Sequence, residues 1–205
     1  MCILTASFSQ GEQVNCTEIA REVGNNRHTI ANFFDILEDL LIACRIYPFT
    51  KHAKRELVVS PKFYYFDTGV YRSIRPTGPL DSREEIDGAA LETLFLQEVK
   101  AINDYFELEY AISYWRTTSQ VEVDFVLYGK NGFHAFEIKR KQTIAKHDLK
   151  GLRMFQEDYP EATCHMLYGG SRTYTENGIT IRPFEETLIN LNALLNQSNT
   201  TQTGA

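Results

Sequence analysis

Asp124, Glu137 and Lys139 lie inside the stretch EVDFVLYGKNGFHAFEIKRK, residues 122–141, which otherwise reads as two short apolar strands joined by a hairpin. Alternate side chains of a strand point to opposite faces. Val121, Val123, Phe125 and Leu127 then share one face of the first strand, and Glu122, Asp124, Val126 and Tyr128 share the other. On the second strand Phe136 and Ile138 oppose Ala135, Glu137 and Lys139. With the apolar faces packed into a core, Asp124, Glu137 and Lys139 converge on the opposite face. Two carboxylates held there repel each other unless a cation sits between them, and oxygen ligands of this kind suit Mg2+ or Mn2+. The adjacent lysine would orient or deprotonate a water, or stabilise charge on a phosphate. The plain alternative is a solvated strand face on which Asp124 pairs across to Lys139.

A third carboxylate, Glu92, stands on a predicted helix of residues 88–105 whose Leu91, Leu94, Phe95, Val99 and Ile102 form an apolar face suited to packing on a sheet. The spacing predicts strands near 109–116, 120–128, 133–140 and 163–168, with a helix near 147–158 after the third. Asn177-Gly178 marks a tight hairpin between 172–175 and 179–182, and a last helix covers about 185–195. The polar segment 197–205 reads as a disordered tail.

The first part of the chain has a different pattern. Asn15-Cys-Thr-Glu18 has the form of a capping box, opening a short helix to about Val23, and Gly24-Asn25-Asn26 supplies a turn. A longer helix follows with Ile30, Phe33, Leu37, Leu40 and Leu41 on one face. Two apolar stretches, 46–49 and 57–59, flank the basic loop Thr50-Lys-His-Ala-Lys-Arg-Glu56 and suggest a hairpin wing. These elements together predict a winged helix-turn-helix over residues 1–76, with 77–87 as linker and 88–196 as a second, mixed α/β domain.

The residues that open the second helix of such a module face a DNA groove, here Arg27, His28, Thr29 and Asn32, while Lys51, Lys54 and Arg55 of the wing would hold the backbone. Asp35, Glu38 and Asp39 on the same helix oppose that reading, and docking to a protein is the alternative use. In the second domain Arg140, Lys141, Lys146 and Lys150 follow directly behind the carboxylates, and Arg116 stands beside Trp115, so a phosphate backbone would find cations there. The net charge of −6 averages over this patchiness, because residues 1–76 carry nine Lys/Arg against eight Asp/Glu.

Taken together, these residues carry a resemblance. Glu92 on a helix, Asp124 on a strand and Glu137-Ile-Lys139 on the next strand resemble the PD-(D/E)XK nuclease superfamily. Gly88-x-x-Leu-Glu92, Tyr114-Trp-Arg116, Glu122-Val-Asp-Phe125 and Phe136-Glu-Ile-Lys139, with Thr17-Glu-Ile-Ala20, Asp35-Ile-Leu-Glu-Asp39 and Lys62-Phe-Tyr-Tyr-Phe-Asp-Thr-Gly69, resemble a domain-of-unknown-function family. Its members usually lie C-terminal to a P-loop ATPase of the AAA type in prokaryotes. The resemblance implies a winged helix joined to a restriction-endonuclease-like α/β core, with Glu92, Asp124 and Glu137 holding Mg2+ or Mn2+ and Lys139 as the catalytic lysine. It further implies a nucleic-acid partner, DNA rather than RNA, and a P-loop ATPase domain or subunit. The sequence itself has no GxxxxGK[S/T], so no ATPase activity is expected from it.

The 205 residues suffice for one large or two small domains, and 43% hydrophobic content is ordinary for a folded protein. Cys2, Cys16, Cys44 and Cys164 form no CxxC pair, which excludes a zinc ribbon and fits a reducing cytoplasm. With no apolar run long enough to span a bilayer, no membrane association is expected.

Overall fold

The computed structural model describes residues 7, 9–75, 78 and 82–196. The expected tail and most of the expected linker's first half lie outside the described residues. The protein is mixed α/β and divides into two compact units, one of Met1–Pro48 and Val59–Gln97, the other of Phe49–Val58 and Glu98–Ala205. None of the described helices is long and apolar enough to cross a membrane.

In the first unit, helix α1 (Cys16–Glu22) starts at Asn15, whose side chain accepts from the Glu18 backbone N–H at 3.2 Å, as the capping box predicts. Helix α2 (Arg27–Asp39) is capped by Asn26, which accepts from the Thr29 N–H at 2.7 Å. Its buried positions are Ile30, Phe34 and Leu37 rather than the full expected face. Because the helix ends at Asp39, Leu40 and Leu41 leave the helical register, Leu41 at φ 57, and stand 61% and 78% exposed.

Strand β1 (Ala43–Pro48) pairs antiparallel with β2 (Lys62–Tyr65), in the register Ala43 with Tyr65 through Ile46 with Lys62. This corrects the expected wing: 46–49 does not form a hairpin with 57–59. Instead the Phe49 N–H donates to Tyr114 and the Val58 N–H to Arg116, so the basic loop belongs to the second unit. An unexpected helix α3 (Thr68–Ile74) follows β2, its first turn held by Asp67 accepting from Val70. Helix α4 (Arg83–Tyr105) begins inside the stretch expected as linker and passes from the first unit into the second after Gln97.

The second unit is built on strands β3 (Ala111–Arg116), β4 (Glu122–Gly129), β5 (Gly132–Lys139), β6 (Thr163–Tyr168), β7 (Tyr174–Glu176) and β8 (Ile179–Pro183) in the order β3-β4-β5-β6-β8-β7. The β3-β4-β5 ladder is antiparallel, whereas β5, β6 and β8 run parallel. Helix α5 (Lys150–Asp158) makes the crossover from β5 to β6 that a parallel pair requires. Asn177 and Gly178 both have positive φ, the backbone of the hairpin turn their sequence predicts. Helices α6 (Phe184–Ile189) and α7 (Leu191–Asn196) close the unit.

One core cluster joins α5 to the sheet through Val121, Val123, Val126, Ala135, Leu152, Phe155 and Met166. Val123 and Val126 cannot share a face under strict alternation. The register supplies the reason: Ser113 pairs with Val126 and Trp115 with Val123, so β4 carries an extra residue at Asp124-Phe125 opposite Tyr114. This β-bulge shifts the phase of the strand and re-aims Asp124.

Candidate active site

Phe125 pairs with Phe136 on the antiparallel ladder, which brings Asp124 and Glu137, the next residue along each strand, near each other. Ala135 faces the core beneath α5, and Glu137, two residues on, shares that face. Glu137 therefore points toward the helix-covered side of the sheet, not toward an uncovered face as alternation alone predicts. Both carboxylates are buried, Asp124 at 5% and Glu137 at 7% exposure.

Each carboxylate has a defined partner. Asp124 Oδ2 accepts from the Ile138 backbone N–H at 2.8 Å, which fixes its position within the bulge. Glu137 Oε1 accepts from Lys139 Nζ at 2.7 Å. Glu137 Oε2 is buried and has no hydrogen-bond partner among the described residues. Loss of water, then the neighbouring Asp124 charge, pushes the Glu137 carboxyl up to about 8, although Lys139 pulls the other way. Lys139 thus pairs with Glu137, its neighbour on the same strand.

Space for this arrangement comes from Gly151 in the first turn of α5. A Cβ there would lie 2.0 Å from the Glu122 carbonyl oxygen and 3.6 Å from Glu137 Oε2. Only glycine lets the helix approach β4 so closely. The motif reading missed Gly151; its signal was a glycine inside a predicted helix, a position that ordinarily weakens one.

Glu92 lies on the part of α4 that belongs to the first unit, where Tyr64 donates to its Oε2 at 3.0 Å and Gly11 leaves it room. Among the described residues, no three His, Cys, Asp or Glu side chains form a group able to hold a metal ion. Of the three expected ligands, Asp124 and Glu137 lie in the second unit. Two carboxylates still fit magnesium, which usually takes one or two from the protein and fills its octahedron with water and phosphate oxygens. The unpartnered Glu137 oxygen is the observation that favours such a fit.

The cations expected near the site divide into two kinds. Arg140, Lys141, Lys146 and Lys150 are exposed, and Arg116 is half-buried. Lys141 is engaged by Asp148 at 2.6 Å and Arg116 by Glu122 at 2.9 Å. Trp115 is fully buried and packs edge-on against Phe155, so it offers no stacking surface. In the first unit Arg27, His28, Thr29 and Asn32 are all exposed along the opening of α2. Asp35 and Glu38 are engaged by Arg45, which offsets their charge. The three expected wing cations sit in the second unit: Lys51 over the Tyr128 ring at 4.2 Å, Lys54 donating to the Glu157 carbonyl, and Arg55 bound to Asp158 and Glu157.

Residues 87–187 match the model of a domain of unknown function, DUF4143, and residues 1–81 match that of a second, DUF8612. An uncharacterized protein of Mycobacterium tuberculosis and one of Mycobacterium bovis are each 26% identical over 169 residues, covering 80% of this chain. The chain spans 36% of the length of these curated relatives. The crystal structure of a Vibrio cholerae protein is similar over 96% of this chain and 50% of that one, with 15% identity and a TM-score of 0.40. The chain thus joins a stretch matched by DUF8612 to one matched by DUF4143, both known only as domains of unknown function.

Proposed function

We propose that the second unit is a PD-(D/E)XK nuclease-like domain acting on DNA, and that the first is a DNA-contacting winged-helix relative. One observation carries this reading: a buried glutamate oxygen without a partner, near a second buried carboxylate and beside a lysine, at the lip of a sheet. Asp124 and Glu137 would hold Mg2+ or Mn2+, which when bound supplies Lewis acidity toward a phosphate oxygen and a bound water. Ile138 and the bulge keep Asp124 in place, while the first turn of α5 lies close over Glu137. Lys139, whose side chain is 36% exposed, keeps its ammonium at the solvent edge, where it would orient the attacking water or meet developing phosphate charge. Arg140, Lys146 and Lys150 would guide the phosphate backbone.

A second reading is a non-catalytic docking module for a P-loop ATPase domain or subunit. The exposed apolar residues Ile36, Leu40 and Leu41 of the first unit favour it. Incubation of duplex and single-stranded DNA with the purified chain and Mn2+ separates the two. Phosphodiester cleavage that disappears in Lys139→Ala and Glu137→Ala is expected of the nuclease. Salt-sensitive DNA retention without cleavage, unchanged in both variants, belongs to a non-catalytic DNA-binding module, and failure to retain DNA even at low salt belongs to the docking module.

A further inference from the structure

A pocket of about 720 Å³ opens at the end of α5 remote from Gly151, lined by Phe49, Tyr128, Phe133 and Tyr159 with Lys51, Lys54 and Lys130 among the residues of its rim. The eight residues from Gly151 to Tyr159 place it about 12 Å along the helix from the carboxylates. All its lining residues belong to the second unit.

Its chemistry is unusual for a plain surface cleft. The four rings pack on one another, with centroids 5.2 Å apart for Phe49 and Phe133 and 5.3 Å for Phe49 and Tyr159 and for Tyr128 and Phe133. Phe49 and Tyr159 are buried, so they form the floor, while Tyr128 is 38% exposed and offers a ring to an incoming plane. Lys51 already lies 4.2 Å from the Tyr128 centroid, a cation held over a π-face. The Tyr159 hydroxyl is buried and has no hydrogen-bond partner among the described residues, an orphan polar atom in a pocket wall. The pocket's acids are Asp158 and Glu161. Asp158 is answered by Arg55 at 2.9 Å and Lys130 by Glu109 at 2.6 Å, which leaves Lys51 and Lys54 against Glu161.

We propose that this pocket binds a nucleotide, with an unstacked base against Tyr128 and Phe133 and its phosphate on Lys51 and Lys54. Aromatic planes accept any base, and lysines take phosphate as point charges. The volume lies in the range of small-ligand sites. The proposal does not depend on the nuclease reading, since neither carboxylate borders the pocket. The nucleotide is either free or the terminal residue of a single strand.

The test is calorimetric titration of the whole chain in EDTA, which silences any metal-dependent chemistry. The probes are 5′-AMP, dTMP, adenosine, inorganic phosphate and a 5′-phosphorylated oligothymidine. One saturable site is expected for the mononucleotides, with adenosine and phosphate each weaker by about tenfold or more. Lys51→Ala and Tyr128→Ser should each weaken 5′-AMP by a similar factor. Lys51 is exposed, so its variant remains informative even if the Tyr128 variant is unstable. Tighter binding of the oligonucleotide assigns the pocket to a strand end, and equal or weaker binding assigns it to a free nucleotide. Absence of saturable binding for every nucleotide probe, or binding indifferent to both substitutions, overturns the proposal.

Discussion

Glu137 concentrates the tension of the candidate active site in one side chain. Its carboxyl is buried, opposed by Asp124 and only half satisfied, with Lys139 on one oxygen. The ordinary carboxylate titrates near 4.5 and this one near 8, so between those values the folded state binds more protons than the unfolded one. Stability contributed by the protonated form is present below 4.5 and is lost as pH rises through 8. Glu137→Gln removes that loss, and its melting temperature in EDTA should exceed the parent's by several degrees at pH 8 and by little at pH 5. A variant less stable than the parent at pH 8 would show that the Lys139 contact outweighs the burial. The types Asp, Glu and Lys were legible in the sequence because three such groups interrupt apolar strands. Which pairs with which was not, since the Lys139 contact to Glu137 is made along one strand, where spacing does not distinguish it from a contact to Asp124.

At the scale of elements, alternation and turn chemistry placed β3 to β8 within about two residues, and Asn177-Gly178 fixed the hairpin. The face on which Glu137 lies escaped the sequence reading because alternation does not reveal which side a helix covers, and the extra residue in β4 shifts the phase at Asp124. A related surprise lies between β5 and β6. His134 Nδ1 and His165 Nε2 stand 3.4 Å apart in the core, with Phe136 stacked on His165 at 4.7 Å.

Burial holds His134 down at about 4 and His165 at about 3, the latter with added repulsion from His134 and Arg182. Unfolded histidines take up protons near 6.5, so the unfolded state gains protons first as pH falls. Stability present above 6.5 should decline below it, on the order of 1–2 kcal/mol per histidine by pH 5. Urea unfolding at pH 7 and pH 5 measures this, and His165→Phe should shallow the decline. An equal decline in both proteins would place the acid sensitivity elsewhere.

For the whole molecule, the main departure from the sequence reading is the loop 49–58. Its Lys51, Lys54 and Arg55 look like a DNA-facing wing, yet Phe49 enters the aromatic cluster of the second unit and Arg55 neutralises Asp158 there. The partners that decide this are about a hundred residues away in sequence, beyond the reach of local pattern. Removing Arg55 leaves a buried Asp158 uncompensated, so Arg55→Ala should lower the second unit's stability by about 2–3 kcal/mol in urea unfolding. A loss below about 0.5 kcal/mol is what a solvated wing arginine would give.

The account rests most directly on whether Asp124 and Glu137 bind a divalent cation. Calorimetric titration of Mn2+ into the purified chain and into Asp124→Asn, each alone and with duplex DNA, tests this. One saturable site in the parent, absent from the variant, is the expected result. No binding to the parent under either condition, or equal binding by both proteins, would contradict the assignment.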